Sequence, residues 1–333
     1  MRRLKVGVIG LGVGEQHIEA YLAHPSCEVV SACDLSADKL EALGARHPEL
    51  RLTRSDDDIL RNPDIDLVSI ASYDDHHFTQ VVKALDSGKH VFVEKPLCRT
   101  LEELTGIKQA LSRNQGRVKL VSNLILRAAP VYVWLKEQIA AGEFGEIYAF
   151  DGDYLYGRLH KITDGWRNEV VDYSVMEGGG IHLIDLMIWL TGQRPVSVFA
   201  AGNRISTRDT KFRYDDYVSA NIQCSSGMIA RITANFGCVH RHQHVVRVFG
   251  TRATFIYDDA GPRVHESRDP ENAPRPVLLP ALAPSKGELI GPFVDAILED
   301  REIDTQSHFD VISIASACDD SLRAGALSEV RYV

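Results

Sequence analysis

The stretch that most limits how this chain can fold is Val6 to His17, which reads V-G-V-I-G-L-G-V-G-E-Q-H. Val6-Gly7-Val8-Ile9 has the composition of a buried strand and leads into three alternate glycines, Gly10, Gly12 and Gly14, followed by a helix-forming segment from Glu15 to Ala23. A strand that turns through glycines into a helix start is the entry to a dinucleotide site. Glycine lets the backbone approach a pyrophosphate, and the unpaired amides of the first helical turn supply hydrogen bonds and partial positive charge. Gly10, Leu11, Gly12, Val13 and Gly14 are therefore the expected pyrophosphate contacts. The spacing is G-x-G-x-G, whereas the usual fingerprint is G-x-G-x-x-G. Gly14 thus comes one residue early, and Glu15 stands at the third-glycine position. A tighter turn is expected, with the amides of Gly12, Val13 and Gly14 facing the phosphates and Glu15 pointing away.

A second apolar strand, Cys27 to Cys33, ends at Asp34, near the ~20-residue offset of a ribose-binding acid. A carboxylate there accepts from ribose hydroxyls and repels a 2′-phosphate, and Leu35-Ser36-Ala37 supplies no arginine to receive one. The expected cofactor is NAD rather than NADP; the competing reading is a plain surface acid. Strand and helix patterns then alternate. Helices are expected at 36–46, 75–86 (closed by Gly88) and 100–114, and a short one behind a capping box at Ser55-x-x-Asp58. Strands are expected at 67–71, 90–93 and 118–122. Such alternation implies a parallel sheet covered on both faces. Beyond it one helix, 130–141, precedes strands at 146–156, 196–205, 217–224, 228–236, 245–249 and 253–257. Helices at 181–190, 289–298 and 311–322 complete the pattern. An arm holding Pro270, Pro274, Pro276, Pro280 and Pro284 reads as extended loop. The fold class is α/β: a doubly wound parallel sheet over 1–122, then an α+β domain with an open, mostly antiparallel sheet over 123–333.

A chain of 333 residues suits about two domains. The net charge of −9, without a basic block, argues against a nucleic-acid partner, and no apolar run reaches the ~18 residues of a membrane span. A strand begins within three residues of Met1, so no signal peptide is expected. The six cysteines are scattered without a C-x-x-C pair, which suits reduced thiols in the cytoplasm.

Glu94-Lys95-Pro96 follows Val91-Phe92-Val93 directly. This sets two charges at the carboxyl end of a buried parallel strand, where open α/β sheets bind ligands. A lysine there can hydrogen-bond a substrate hydroxyl; a Glu–Lys pair on a solvated rim is the alternative. The segment Ile181 to Leu190 is apolar except for His182 and Asp185, which share a helix face at i and i+3. His182 has the intrinsic pKa to take a hydroxyl proton as hydride leaves the same carbon. Gly178, Gly179 and Gly180 before it would allow a ligand or the other domain to approach closely. Asn123 and Arg127 lie just past the last parallel strand. Trp166 and Arg167 fall in a possible lid loop, and Tyr154, Tyr156 and Arg158 alternate onto one strand face. His240, His242 and His244 also alternate, yet neighbours on one strand spread over ~13 Å, too far for one zinc ion. No metal is expected, and an oligomer contact is the better reading of that face.

V-G-V-I-G-L-G, the run from Ile70 through G-K-H-V-F-V-E-K-P-L (88–97), G-G-G-I-H-L-I-D-L-M-I-W-L-T-G (178–192) and S-L-R-A-G (321–325) together resemble the Gfo/Idh/MocA oxidoreductases. The resemblance implies a Rossmann domain, a C-terminal domain on an open mixed sheet, and nicotinamide-dependent redox of sugars, cyclitols or nucleotide sugars. It implies that Lys95 contacts nicotinamide and substrate, with a bond to Pro96 that is often cis. It also implies that His182 is the catalytic histidine and Asp185 the acid one turn on. Ser72-Tyr73-Asp74-Asp75 replaces the family's Thr-Pro-Asn turn, and His77 matches that stretch's histidine. Ser72, Tyr73, His77, Glu94 and Asn123 are thereby expected around the cofactor. Many members carry a catalytic aspartate four residues before the histidine, where this chain has Gly178; Asp172 or Tyr173 could substitute, or Lys95 and His182 could act alone. The expected protein is a sugar-type dehydrogenase using NAD, with Lys95, Arg127, Tyr154, Trp166, Arg167, His182 and Asp185 at the substrate. A homodimer or homotetramer through the C-terminal sheet is also expected. An NAD-retaining glycoside hydrolase and a non-catalytic dinucleotide-binding regulator are the alternatives.

Overall fold

The computed structural model describes residues 3–283 and 285–333. The expectations resting on Met1 and Pro284 lie outside the described residues. The chain divides into two units, one comprising 1–125, 283–309 and 333, the other 126–282 and 310–332.

The first unit alternates strand and helix: β1 (Leu4–Ile9), α1 (Gly14–Ala23), β2 (Cys27–Cys33), α2 (Ala37–Arg46), β3 (Arg51–Thr53), α3 (Asp57–Leu60), β4 (Leu67–Ile70), α4 (His77–Asp86), β5 (His90–Val93), α5 (Leu101–Arg113) and β6 (Leu120–Ser122). Among the described residues these strands form one sheet in the order β3-β2-β1-β4-β5-β6, with every pairing parallel. Valine and isoleucine dominate the central strands because both faces are covered; β4 is buried along its whole length. The order reverses between β1 and β4, and the carboxyl ends of those strands are where such sheets hold ligands. Helix starts follow local chemistry. Ser36 Oγ accepts from Lys39 N at 3.4 Å, and Thr100 Oγ1 accepts from Glu103 N at 3.1 Å. The expected capping box at Ser55 does not form: Asp56 stands at the N-cap, and the Asp58 carboxylate accepts from Thr53 Oγ1.

The second unit holds α6 (Pro130–Ala140), β7 (Ile147–Leu155), α7 (His160–Thr163), α8 (Ile181–Thr191), β8 (Pro195–Asn203), β9 (Tyr217–Cys224), β10 (Ile229–Asn235), β11 (Gln243–Gly250), β12 (Thr254–Asp258), β13 (Gly261–His265) and β14 (Arg275–Pro276). The chain returns to the first unit as α9 (Ile290–Leu298), and α10 (Thr305–Ala324) leads back to β15 (Ser328–Glu329). The sheet order is β14-β13-β12-β11-β7-β10-β9-β8-β15, antiparallel except for the β7–β10 pair. α8 buries Ile181, Leu183, Ile184, Leu186 and Met187, and Gly152 of β7 lets Leu183 approach within 3.2 Å of where a Cβ would stand. The sequence reading lacks β13, β14 and β15, two of which are only two residues long, too short to show alternation; β14 lies inside the proline-rich arm. It also starts the last helix too late, because the first turn of α10 is polar and is capped by Asp304, whose Oδ1 accepts from Ser307 N at 3.1 Å.

Candidate active site

The glycine turn shows a separate reason for each glycine. Gly10 has φ +89, and a Cβ there would run into the backbone carbonyl of Ala71 at the end of β4. Gly12 has nothing within 4 Å of where its Cβ would stand, so its surface is open to a ligand. Gly14 lies 3.0 Å from Val8 Cγ1 and 3.5 Å from Ala71 Cβ by the same measure, which makes it the close-packing contact between α1 and the sheet. That is the task of the third glycine in the usual fingerprint, performed here one residue early. Val13 at the N-cap offers no side-chain cap, so the first amides of α1 remain for an anion. Glu15 turns to Arg46 of α2, 3.2 Å away.

Asp34 closes the turn from the side. Its Oδ2 accepts from Leu11 N at 2.6 Å and its Oδ1 from Ser36 N at 2.8 Å, with Lys39 Nζ 3.4 Å from Oδ2. Beyond β5 the Lys95–Pro96 bond is cis. His77, expected at the cofactor, is fully buried. Its Nδ1 donates to Pro96 O at 2.6 Å and its Nε2 lies 3.2 Å from Ser72 O, so it fastens the Lys95 loop to the Ser72 turn. Ser72 itself donates to Gln80 Oε1 at 2.7 Å, while Tyr73 is about half exposed at the rim. Glu94 also turns inward. Its Oε1 lies 3.3 Å from Nε2 of His17 on α1 and accepts from Asn123 Nδ2 at 2.6 Å. Burial opposes its charge, yet His17, Asn123 and Lys95 together hold its carboxyl below the ordinary range. His17 completes the link by hydrogen-bonding Ser69 Oγ at 3.0 Å. Local spacing does not show this role of His17, since its partners Ser69, on β4, and Glu94, just past β5, lie far along the chain. Asn123 donates as well to Lys286 O, while its own buried Oδ1 takes no hydrogen bond among the described residues. An open glycine, uncapped helix amides and this orphaned acceptor together suit a dinucleotide.

In the second unit His182 sits in the first turn of α8, 8% exposed. Its ring stacks on Tyr154 at 6.1 Å between centroids and meets His244 edge-on at 5.7 Å. Register explains the meeting, for His244 of β11 pairs directly with Tyr154 of β7. His242, just before β11, lies 5.1 Å from His244, and its Nδ1 donates to Leu155 O at 3.1 Å. Tyr156 stacks on Tyr154 at 5.9 Å, and burial raises the Tyr154 phenol pKa. Arg127 grips Asp185 in a two-pronged pair, with Nε 3.0 Å from Oδ1 and Nη2 2.5 Å from it; Asp185 is fully buried. The two expected substrate contacts are thus joined to each other. Trp166 and Arg167 share a short 3₁₀ turn, with the guanidinium 4.5 Å above the indole.

Residues 4–121 match the description "Oxidoreductase family, NAD-binding Rossmann fold", and residues 132–256 match the GFO/IDH/MocA C-terminal domain. This chain belongs to the Gfo/Idh/MocA family. It is 27% identical over 252 residues to an inositol 2-dehydrogenase/D-chiro-inositol 3-dehydrogenase of Lacticaseibacillus casei, covering 74% of this chain and 70% of that protein. It is 25% identical over 291 residues to a levoglucosan dehydrogenase of Pseudarthrobacter phenanthrenivorans, covering 78% and 74%. A solved levoglucosan dehydrogenase with NADH and levoglucosan shares the fold with a TM-score of 0.87, 21% identity and full coverage of both chains. The first unit is accordingly the NAD-binding domain of a family oxidoreductase.

Against the family pattern the three glycines before His182 behave differently from expectation. They form a π turn, Met176–Gly180, and they admit neighbours of their own unit, because residues on that turn face the aromatic cluster. Tyr154 fills the space beside Gly179, and Met176 the space beside Gly180. At Gly178, where many family members carry an aspartate, the Tyr173 hydroxyl occupies the place of the missing side chain. Asp172, the other candidate substitute, is exposed, and its amide donates to Tyr214 Oη at 2.8 Å. The histidine face expected to serve an oligomer divides: His240 pairs with Asp259, whereas His242 and His244 join the rings around His182. Among the described residues no group of three or more metal-ligating side chains is placed to hold an ion, and no helix is long and apolar enough to cross a membrane.

Proposed function

We propose that this family oxidoreductase transfers a hydride between NAD and a secondary alcohol or ketone of a sugar, cyclitol or nucleotide sugar. The observation that carries the reading is His182, nearly buried among Tyr154 and His244 on a chain whose other unit is an NAD-binding domain. NAD, when bound, supplies the two-electron acceptor at its nicotinamide ring. The amides of Gly12, Val13 and Gly14 hold its pyrophosphate, those of Gly10 and Leu11 being engaged by Cys33 O and Asp34 Oδ2, and Asp34, aligned by Leu11 and Ser36, takes a ribose hydroxyl. Ser72, Tyr73 and Asn123 lie on the nicotinamide side. His182 accepts the proton of the reacting hydroxyl, and Lys95 hydrogen-bonds and orients that hydroxyl. Arg127 binds the substrate from a position set by Asp185. Tyr154, Trp166 and Arg167 line the substrate.

Residues 1–122 carry the cofactor and 123–333 the substrate and the oligomer contact. The exposed Phe199 and Ile229 on the second sheet support a homo-oligomer through that sheet. Free cysteines, five of the six buried, support a cytoplasmic setting. The test is the initial rate of NADH formation with purified protein, NAD and a panel of free sugars, cyclitols and UDP-, GDP- and dTDP-sugars. Turnover of at least one secondary alcohol is expected, and NAD binding without turnover across the whole panel would sink the reading.

A further inference from the structure

The residues that follow Asp34 include no arginine for a 2′-phosphate, yet the fold brings one from the next strand. Cys33 of β2 pairs with Thr53 of β3, and Asp34 N donates to Thr53 O at 3.3 Å. Asp34 and Arg54 are therefore the next residues past two paired strand ends. Arg54 Nε donates to Leu35 O at 3.2 Å, which seats the guanidinium on the turn after Asp34. Its other nitrogens meet no carboxylate among the described residues. The acids that follow it are engaged elsewhere. Asp56 Oδ2 accepts from Gln80 Nε2 at 2.9 Å, Asp57 pairs with Lys83 at 2.9 Å, and Asp58 accepts from Thr53 Oγ1. From the other side Lys39, in the first turn of α2, brings its Nζ to 3.4 Å from Asp34 Oδ2.

The Asp34 carboxylate is itself nearly used up. A carboxylate offers about four acceptor sites. Oδ2 takes Leu11 N at 2.6 Å and Lys39 Nζ, and Oδ1 takes Ser36 N at 2.8 Å. What remains on Oδ1 serves one ribose hydroxyl and not two. An acid that rejects a 2′-phosphate does so by an unshared negative charge, and Asp34 shares its charge with Lys39. Lys39 is exposed, and an exposed ion pair is weak, so its ammonium can turn to a more highly charged partner.

We propose that Lys39 and Arg54 form a 2′-phosphate site beside Asp34, so that the first unit takes NADP as well as NAD. This rests on Asp34 holding the adenosine ribose, and it is independent of the substrate. Asp34 keeps the 3′ hydroxyl, and the two cations take the phosphate on the 2′ oxygen. A planar guanidinium presents two parallel donors to a phosphate, and an ammonium adds a point charge. Leu35, on the same turn and 65% exposed, offers the adenine an apolar face.

The test is binding rather than turnover, so that it can fail apart from the dehydrogenase reading. The purified chain is titrated calorimetrically with NAD and with NADP at low and high salt, and the series is repeated with the K39A/R54A double variant and with Asp34→Ala. The expected Kd of NADP lies within tenfold of that of NAD and rises more steeply with salt. In K39A/R54A, checked for a native circular-dichroism spectrum, NADP weakens at least fivefold more than NAD. An NADP affinity more than tenfold below that of NAD in the wild type would overturn the proposal, and so would any smaller difference between the two losses in the double variant. Unchanged NAD affinity in Asp34→Ala would remove the ribose from Asp34 and the proposal with it. Binding of both cofactors without turnover of any sugar would sink the dehydrogenase reading and leave this site standing.

Discussion

Around the glycine turn, functional side chains are held by the backbone. Asp34 is fixed by the amides of Leu11 and Ser36, and His77 by the carbonyls of Pro96 and Ser72. In the second unit the candidate base is held by rings: His182 by Tyr154 and His244, and these by Tyr156 and His242. A backbone frame fixes a ligand's place through strand and turn geometry, which tolerates many changes of side chain. A ring frame depends on volume, and one altered ring reaches every member. The first unit is thus built to hold a dinucleotide in one way, and the second can be retuned for a substrate by a few substitutions.

The sharpest way to break this contrast is to remove the two chemical groups. His182→Ala and Lys95→Ala are each expected to lower kcat by about 10²–10⁴-fold, with NAD affinity, read by fluorescence titration, nearly unchanged. Near wild-type rates in both variants would remove the assigned roles. A collapse of NAD binding in His182→Ala would show that the two frames are not independent.

The ion pair within the ring-built unit offers the next test. Asp185→Ala strands the Arg127 guanidinium beside a fully buried position, and breaking such a pair costs about 3–5 kcal/mol. Urea denaturation should show that loss, and Arg127→Met should cost a comparable amount. A cost below about 1 kcal/mol would mean that the pair is solvated and that the arginine is free to move.

These cases also show why parts of the molecule were legible from sequence and others were not. Alternating buried strands, Gly10, Asp34 and the E-K-P turn are local patterns whose spacing fixes their place, and the Rossmann sheet emerges from them. His182 and Asp185 stand out because a polar side chain on an otherwise apolar helix needs a partner. The partners themselves lie far along the chain. Tyr154 meets His244 only through the β7–β11 register, so the period-two histidines suggested a surface face where two of them pack inward. The partners of His77 are hidden in the same way: spacing puts it near the cofactor edge, and only the folded turn shows both its nitrogens directed to carbonyls.

A smaller effect probes the volume argument. Gly178→Ala drives a methyl group into the Tyr173 hydroxyl, and overpacking of this kind costs about 1–3 kcal/mol. Tyr173→Phe opens that space, so the double variant should recover most of the loss, giving a coupling that a double-mutant cycle reads directly. Strictly additive costs would mean that the hydroxyl does not fill the glycine's place.

The smallest effect belongs to the backbone-framed unit and depends on pH. Glu94 has its carboxyl held below the ordinary range by His17, Asn123 and Lys95 against the cost of burial. A depressed pKa in the folded state means that the stabilisation is fully present above the unfolded carboxylate's pKa of about 4.3. It is lost as pH falls through the lower folded value. Glu94→Gln should therefore cost about 1 kcal/mol in denaturant titrations at pH 7, and the gap from wild type should close as the pH is lowered below 4. A gap of equal size at both ends would assign the cost to packing rather than charge. The link between α1 and the Lys95 loop would then rest on shape, as it does around His182.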